Sequence, residues 1–266
     1  MGQDGSGGGR PFPLVQAIVL AALGIAAMLL LTPWLAADLR LGIRATVAAG
    51  TLLLGAPALL ALALRAQERS AVLGLRLAGR TAGLCLLLGG TLWVASIGVI
   101  TVQALFRPPT PEELAVFRRL HAALAPANPL DALVSVAVIA LLPALVEELV
   151  MRGVLLTSLA ARIRAVFSVV LTAALFAVIH DPLRLMFAFV LGLVFGLVRL
   201  RTASLWPSVV VHATLNTLTF LVAPLVDDPN QPYTPEPLLG TACLLVGAAL
   251  SWPLLRALRR PPAAPG

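Results

Sequence analysis

Long apolar runs separated by short polar segments dominate the chain from Leu14 onwards. A helix needs about 20 apolar residues to cross the hydrocarbon of a bilayer. By this measure the pattern predicts eight spans, at residues 14–37, 44–64, 81–106, 130–151, 165–181, 183–199, 203–226 and 238–256. We therefore expect an all-α fold, a polytopic membrane helical bundle of about eight transmembrane helices.

The polar segments divide the chain into four parts. Residues 1–13 are rich in Gly and Pro and are expected to form a disordered N-terminal tail. Residues 14–129 hold the first three spans and a linker whose stretch PEELAVFRRLHAAL is amphipathic, so we expect it to lie along the membrane interface. Residues 130–226 form a central group of four spans. Residues 227–266 comprise an outer loop, the last span and a basic C-terminal tail.

Composition supports this interpretation and excludes other classes of protein. Hydrophobic residues make up 59% of the 266 positions, charged residues only 12%, and the mean hydropathy is +0.97. A soluble domain usually has about 25% charged residues. The net charge of +7 comes from arginine alone, and no basic stretch is interleaved with aromatics, so we expect the lipid bilayer as a partner and no nucleic acid. Cys85 and Cys243 lie within apolar runs and predict neither a disulfide framework nor a metal site.

The distribution of arginine predicts the orientation in the membrane. With the N-terminus inside, the inner segments hold twelve arginines and the outer segments six, leaving aside Arg152 within a predicted helix. The loop 227–237 contains three acidic residues and no arginine, which places it outside. Positive charge marks cytoplasmic loops, so both termini are predicted to be cytoplasmic. The Ala-, Leu- and Arg-rich usage without lysine is typical of a GC-rich bacterium, and we expect a bacterial cytoplasmic membrane.

Two adjacent carboxylates are the most costly residues for a membrane helix. Glu147 and Glu148 directly follow the apolar run VSVAVIALLPALV. An ionisable residue at membrane depth is a functional hypothesis by default. Arg152 lies four positions after Glu148 on the same helix face, which predicts a partly buried ion pair. Glu147 points away from that face and has no local partner.

Two histidines lie in the spans that follow. His180 ends the run VVLTAALFAVIH, with Phe176 one turn earlier, and His212 lies within SLWPSVVVHATLN, with Asn216 one turn later. Taken singly, an interfacial His180 and an interhelical hydrogen bond from Asn216 are ordinary structural explanations. Taken together with Glu147, the groups are chemically complementary. A carboxylate can accept a proton from water, one histidine can orient that water, and the other histidine with the amide can donate to an oxyanion.

These residues form three motifs that resemble a known family. The patterns EExxxR, FxxxH and HxxxN are present as Glu147–Arg152, Phe176–His180 and His212–Asn216. In this order on successive helices they resemble the CPBP (Abi) family, which includes the type II CAAX prenyl endopeptidases. The resemblance covers about residues 133–222. One departure is Ala203, where the family often has glycine.

The resemblance implies an intramembrane endopeptidase with residues 130–226 as its catalytic membrane core. By this resemblance Glu147 is the general base that activates water, and His180 helps to hold that water. His212 and Asn216 stabilise the tetrahedral oxyanion. The substrate is then a membrane-proximal peptide, such as a C-terminal or leader segment of another protein.

Supporting residues and cofactors follow from the same resemblance. Glu148 and Arg152 shape the site, and Phe176 is a packing residue. We expect no cofactor, because an asparagine suits an oxyanion donor and is not a usual zinc ligand. The alternative is a Zn²⁺ enzyme with Glu147, His180 and His212 as ligands and an open fourth position.

Two other functions fit the same composition. A non-catalytic membrane partner or immunity protein of the same fold is expected to lack a motif residue, and none is missing here. A small-solute transporter also places carboxylates and histidines at mid-depth, but its repeated halves are absent from this sequence.

Overall fold

The computed structural model describes residues 9–38, 42–74, 77–226 and 236–258. This part of the chain is helical and contains no strand. Its ten helices are α1 Leu14–Asp38, α2 Ile43–Leu64, α3 Ala66–Leu73, α4 Gly79–Phe106, α5 Pro111–Leu124, α6 Pro129–Ala160, α7 Ala165–Val178, α8 Leu185–Thr202, α9 Leu205–Val226 and α10 Pro237–Ala257. A 3₁₀ turn, Pro182–Arg184, precedes α8.

Seven of the described helices are long and apolar enough to cross a membrane, and they are α1, α2, α4, α6, α8, α9 and α10, with the turn before α8 counted in its span. The predicted polytopic helical bundle is therefore confirmed, and the chain is an integral membrane protein. The predicted span 165–181 is instead the 14-residue helix α7, which covers only about 21 Å. It ends early because Pro182 cannot continue a helix and disfavours helical backbone just before it. The side on which each terminus lies stays a prediction.

The two ends of the chain are described only in part. Of the predicted disordered tail 1–13, residues 1–8 lie outside the described residues. In the remainder, Phe12 is 3% exposed and packs into the core, and the Gly9 N–H donates to Ser70 Oγ at 2.9 Å. The outer loop and the basic tail lie outside the described residues at 227–235 and 259–266.

The amphipathic linker forms α5, as its pattern predicts. Thr110 caps the helix by accepting from the Glu113 N–H, and the Glu113 carboxylate accepts from the Thr110 N–H, which is a capping box. Arg107 pairs with Glu113 at 2.5 Å on the exposed surface, and its hydrogen bond lowers the pKa of that carboxyl. The location of α5 at the membrane interface stays a prediction.

Helix α6 lies at the centre of the bundle. Its N-terminus is fixed by Asn128, which accepts from the Asp131 N–H, and by Arg44 of α2, which pairs with Asp131 at 2.9 Å. On one side α6 packs against α1, α2 and α3, and on the other against α7, α8 and α9. Every residue of the segment Leu149–Leu156 is buried. A polar group in this part of α6 therefore faces protein, not lipid.

The close contact between α4 and α10 depends on glycine. A Cβ at Gly247 of α10 would lie 2.5 Å from the backbone nitrogen of Ala95 in α4, whereas a Cβ at Gly90 of α4 would meet nothing within 4 Å. Small residues let helices approach closely in membranes, where packing drives their association.

The Gly247→Ala variant should therefore unfold at a lower temperature than wild type, because backbone must move to admit the methyl group. The matched control, Gly90→Ala, should be as stable as wild type or slightly more so, since alanine favours helix by about 0.5–1 kcal/mol. Thermal denaturation in detergent measures both. Equal melting temperatures for the two variants would contradict this account of the α4–α10 contact.

The backbone after α8 shows why glycine would suit the position of Ala203, and nothing in the structure explains the alanine there. Ala203 follows α8 with φ 53°, a left-handed conformation that favours glycine. Its carbonyl oxygen would lie 2.2 Å from a Cβ at Gly74, which ends α3 with φ 52°. The ends of α3 and α8 thus meet backbone to backbone.

Candidate active site

The two adjacent carboxylates lie within α6 and not at its end. The predicted span 130–151 is too short, because the helix continues to Ala160. Glu147 and Glu148 end an α-helical stretch, and the stretch that follows, Leu149–Leu156, is π-helical. Single π-helical turns within α-helices occur frequently at functional sites. The extension brings Glu147 to a depth that residues at the end of α7 can reach.

Glu148 and Arg152 form the predicted ion pair, but its burial differs from the expectation. Arg152 Nη1 lies 2.8 Å from Glu148 Oε1, and both side chains are 0% exposed. The pair is therefore completely buried, not partly buried. Arg152 also donates from Nη2 to the Gly192 carbonyl of α8 at 3.2 Å. Buried charges of this kind are kept by pairing and by hydrogen bonds to their remaining donors and acceptors.

Two phenyl rings hold the Arg152 guanidinium between them. Its central carbon lies 4.5 Å from the centroid of Phe176 and 5.2 Å from the centroid of Phe195. Cation–π attraction strengthens where water is excluded, as it is here. Phe176, predicted as a packing residue, thus contacts the charged group of the first motif.

His212 lies between the two carboxylates of α6. Its Nδ1 is 3.1 Å from Glu148 Oε1, and its Nε2 is 3.9 Å from Glu147 Oε2. A carboxylate oxygen accepts hydrogen bonds, so we assign a proton to His212 Nδ1, which donates to Glu148 Oε1. The other ring nitrogen then faces Glu147. His212 is 5% exposed and Glu147 18% exposed, so Glu147 is the more accessible carboxylate of the two.

His180 follows the last turn of α7 and joins the cluster through Phe176. Its Nδ1 lies 2.6 Å from the Phe176 carbonyl oxygen. A carbonyl oxygen only accepts, so Nδ1 carries the proton and Nε2 of the neutral ring is an acceptor. The Phe176 ring lies 4.4 Å from the His180 ring and 6.0 Å from the His212 ring. The Phe176 ring therefore contacts both imidazoles.

Asn216 is the predicted site residue with the fewest contacts. It is half-buried and lies one turn after His212 on α9, so the two share a helix face. Within the described part of the chain, its amide makes no hydrogen bond to the other predicted groups. The structure thus brings together Glu147, Glu148, Arg152, Phe176, His180 and His212, and it places Asn216 beside them.

Sequence reasoning missed Phe195 of α8. Its ring stacks on the His212 ring, with the centroids 4.7 Å apart and the planes at 22°, and it also contacts Arg152. Phe195 lies in the run LMFAFVLGLVFGLVRL, which contains three phenylalanines and no polar residue near its middle. No signal in that run distinguishes the phenylalanine at the site from the others.

The alternative zinc site, with Glu147, His180 and His212 as ligands, stays a prediction. Among the described residues, no three His, Cys, Asp or Glu side chains are grouped so as to hold a metal ion. We therefore derive no catalytic step through a metal.

Comparison with known proteins supports the resemblance of the motifs. Residues 129–218 match the family model described as type II CAAX prenyl endopeptidase Rce1-like. No curated protein and no solved structure matches the chain. The matched segment contains α6, α7, α8 and most of α9, and so includes every residue of the three motifs. The resemblance that the motifs predict is thus confirmed on residues 129–218, which carry the sequence signature of the Rce1-like type II CAAX prenyl endopeptidases.

Proposed function

We propose that this protein is an intramembrane endopeptidase that hydrolyses a membrane-proximal peptide bond with water activated by Glu147. The observation that carries the proposal is the position of the Glu147 carboxylate. It lies 3.9 Å from an imidazole nitrogen of His212, inside a helix bundle and beside a fully buried ion pair. An ionised carboxylate with access to water is the group that a general base requires.

The reaction begins with a water molecule held near Glu147 and His180. The unprotonated Nε2 of His180 accepts one hydrogen bond from this water, which orients it. Glu147 takes a proton from the water as its oxygen attacks the carbonyl carbon of the peptide bond. The product of this step is a tetrahedral intermediate with a negative oxygen, and Glu147 is then a carboxylic acid.

His212 and Asn216 stabilise the oxyanion by donating hydrogen bonds. This step requires a proton on each ring nitrogen of His212, so that Nδ1–H donates to Glu148 and Nε2–H donates to the oxyanion, and the amide of Asn216 supplies the second donor. When the C–N bond breaks, the carboxylic acid of Glu147 returns its proton to the leaving amine. Donors fixed in advance at such an oxyanion contribute about 10²–10³-fold each to kcat.

Glu148 and Arg152 position this machinery. The Glu148 carboxylate accepts from both Arg152 and His212, so it fixes the orientation of the imidazole. Arg152 is itself fixed by the Gly192 carbonyl and by Phe176. The substrate that suits this site is a peptide segment of another protein at the membrane, because the reacting groups come from α6, α7 and α9 within the bundle.

Chelation tests the metal-free form of the proposal. The purified protein in detergent or lipid should cleave a candidate membrane-proximal peptide equally well before and after prolonged treatment with a chelator, and it should contain no stoichiometric zinc. Mass spectrometry of the peptide measures cleavage, and elemental analysis measures zinc. Loss of cleavage on chelation with recovery on added zinc would instead favour the metalloprotease with Glu147, His180 and His212 as ligands.

A further inference from the structure

We propose that Phe195 is a positioning residue for His212, and this inference rests on the proposed function. Phe195 belongs to none of the three motifs, and its side chain is 0% exposed. Its ring is the closest aromatic neighbour of the His212 ring among the described contacts, at 4.7 Å with nearly parallel planes. Phe176 meets His212 by its edge at 6.0 Å, which constrains the imidazole less.

The stacked Phe195 ring restricts a rotation of the His212 ring that the hydrogen bond to Glu148 does not prevent. The hydrogen bond from Nδ1 to Glu148 fixes one point of the imidazole. That hydrogen bond and the covalent bond at Cγ hold one edge of the ring, and a concerted change in χ1 and χ2 can still tilt the ring about this edge, which would move Nε2 away from Glu147. A parallel phenyl ring against one face opposes this turn, because the imidazole would lose van der Waals contact along its whole face.

Phe195 also connects His212 to the buried cation. The same ring contacts the Arg152 guanidinium at 5.2 Å, so Arg152 and His212 both lie against Phe195 and both bind Glu148 Oε1. Phe195 of α8 thus contacts both Arg152 of α6 and His212 of α9, and these two residues share Glu148 as a partner.

The test compares two leucine substitutions in α8. Phe195→Leu removes the ring beside His212, and Phe187→Leu removes a half-buried phenylalanine of the same helix that packs against the same core cluster. Phe187 is not one of the rings described above in contact with His212 or Arg152. We expect Phe195→Leu to lower kcat about tenfold with little change in KM, because a misplaced catalytic group slows chemistry more than binding. Phe187→Leu should keep the wild-type kcat. Phe195→Tyr retains the ring and should restore most of kcat.

A double-mutant cycle separates positioning from general loss of packing. In a His212→Ala background the ring has no imidazole to hold, so Phe195→Leu should reduce kcat no further than His212→Ala alone. Equal loss in both backgrounds, or a kcat for Phe195→Leu that matches Phe187→Leu, would overturn the positioning role. If Phe195→Leu does not fold, Phe195→Met replaces it in the same comparison.

A different result would contradict the proposed function. If the Glu147→Gln variant cleaves the peptide as fast as wild type, the glutamate mechanism is wrong and the role of Phe195 falls with it. If Glu147→Gln is inactive while the cycle shows equal losses, the protease stands and only the role of Phe195 is wrong.

Discussion

Glu147→Gln is expected to slow peptide cleavage by about 10²–10⁴-fold, the range that loss of a general base produces. Glutamine keeps the shape and the hydrogen-bonding capacity of the side chain but cannot accept the proton of the attacking water. The variant should therefore fold and bind substrate as wild type does. Cleavage by the purified protein, followed by mass spectrometry under single-turnover conditions, measures the chemical step.

Glu112→Gln provides the matched control for this substitution. Glu112 is an exposed carboxylate on α5, so the same chemical change there should leave the rate unaltered. A Glu147→Gln variant that cleaves at the rate of this control would show that Glu147 is not the base.

Arg152→Ala is expected to destabilise the protein by about 3–5 kcal/mol, because it leaves Glu148 as a buried charge without its cation. The guanidinium is fully buried, so water cannot replace it. The substitution also empties the space between Phe176 and Phe195. We expect low yield and a lower melting temperature together with lost activity, measured by thermal denaturation in detergent.

Two variants make the stability experiment specific. Arg107→Ala removes an arginine from the exposed pair with Glu113, and its stability should remain close to wild type, since exposed pairs contribute little. The double variant Glu148→Gln/Arg152→Met removes both charges and should recover part of the stability lost in Arg152→Ala. Normal yield and melting temperature for Arg152→Ala itself would show that the pair does not stabilise the fold.

Much of the fold was predictable because a membrane helix has a simple sequence signal. Length and hydropathy predicted the spans, and the three motifs predicted most of the residues that meet at the site. The helix ends were less predictable. The run GVLLTSLAA after Arg152 is as apolar as the preceding span, so no sequence feature marked where α6 ends. Helix α7 is short because Pro182 prevents the helix from continuing, and the hydropathy pattern does not take this effect of proline into account.

The details of the site required the tertiary structure. Spacing alone predicted that Glu148 and Arg152 pair, since residues four apart share a helix face. Their complete burial depends on Phe195 and Gly192, which α8 brings from a distant part of the sequence. The contact between His212 and Glu148 likewise joins α9 to α6 and has no local signal. A motif indicates which residues matter, and helix packing decides which of them touch.

A comparison of protein termini in cells tests most directly whether this protein cleaves peptide bonds. Membrane proteins from cells that express wild type, cells that express Glu147→Gln and cells without the gene would be compared by mass spectrometry of their terminal peptides. We predict at least one membrane protein that is shortened at one terminus with wild type and full-length in the other two. If no protein terminus depends on Glu147, the endopeptidase proposal is contradicted and a non-catalytic partner protein is the better explanation. Solute flux that depends on Glu147, without any cleaved product, would instead indicate a transporter.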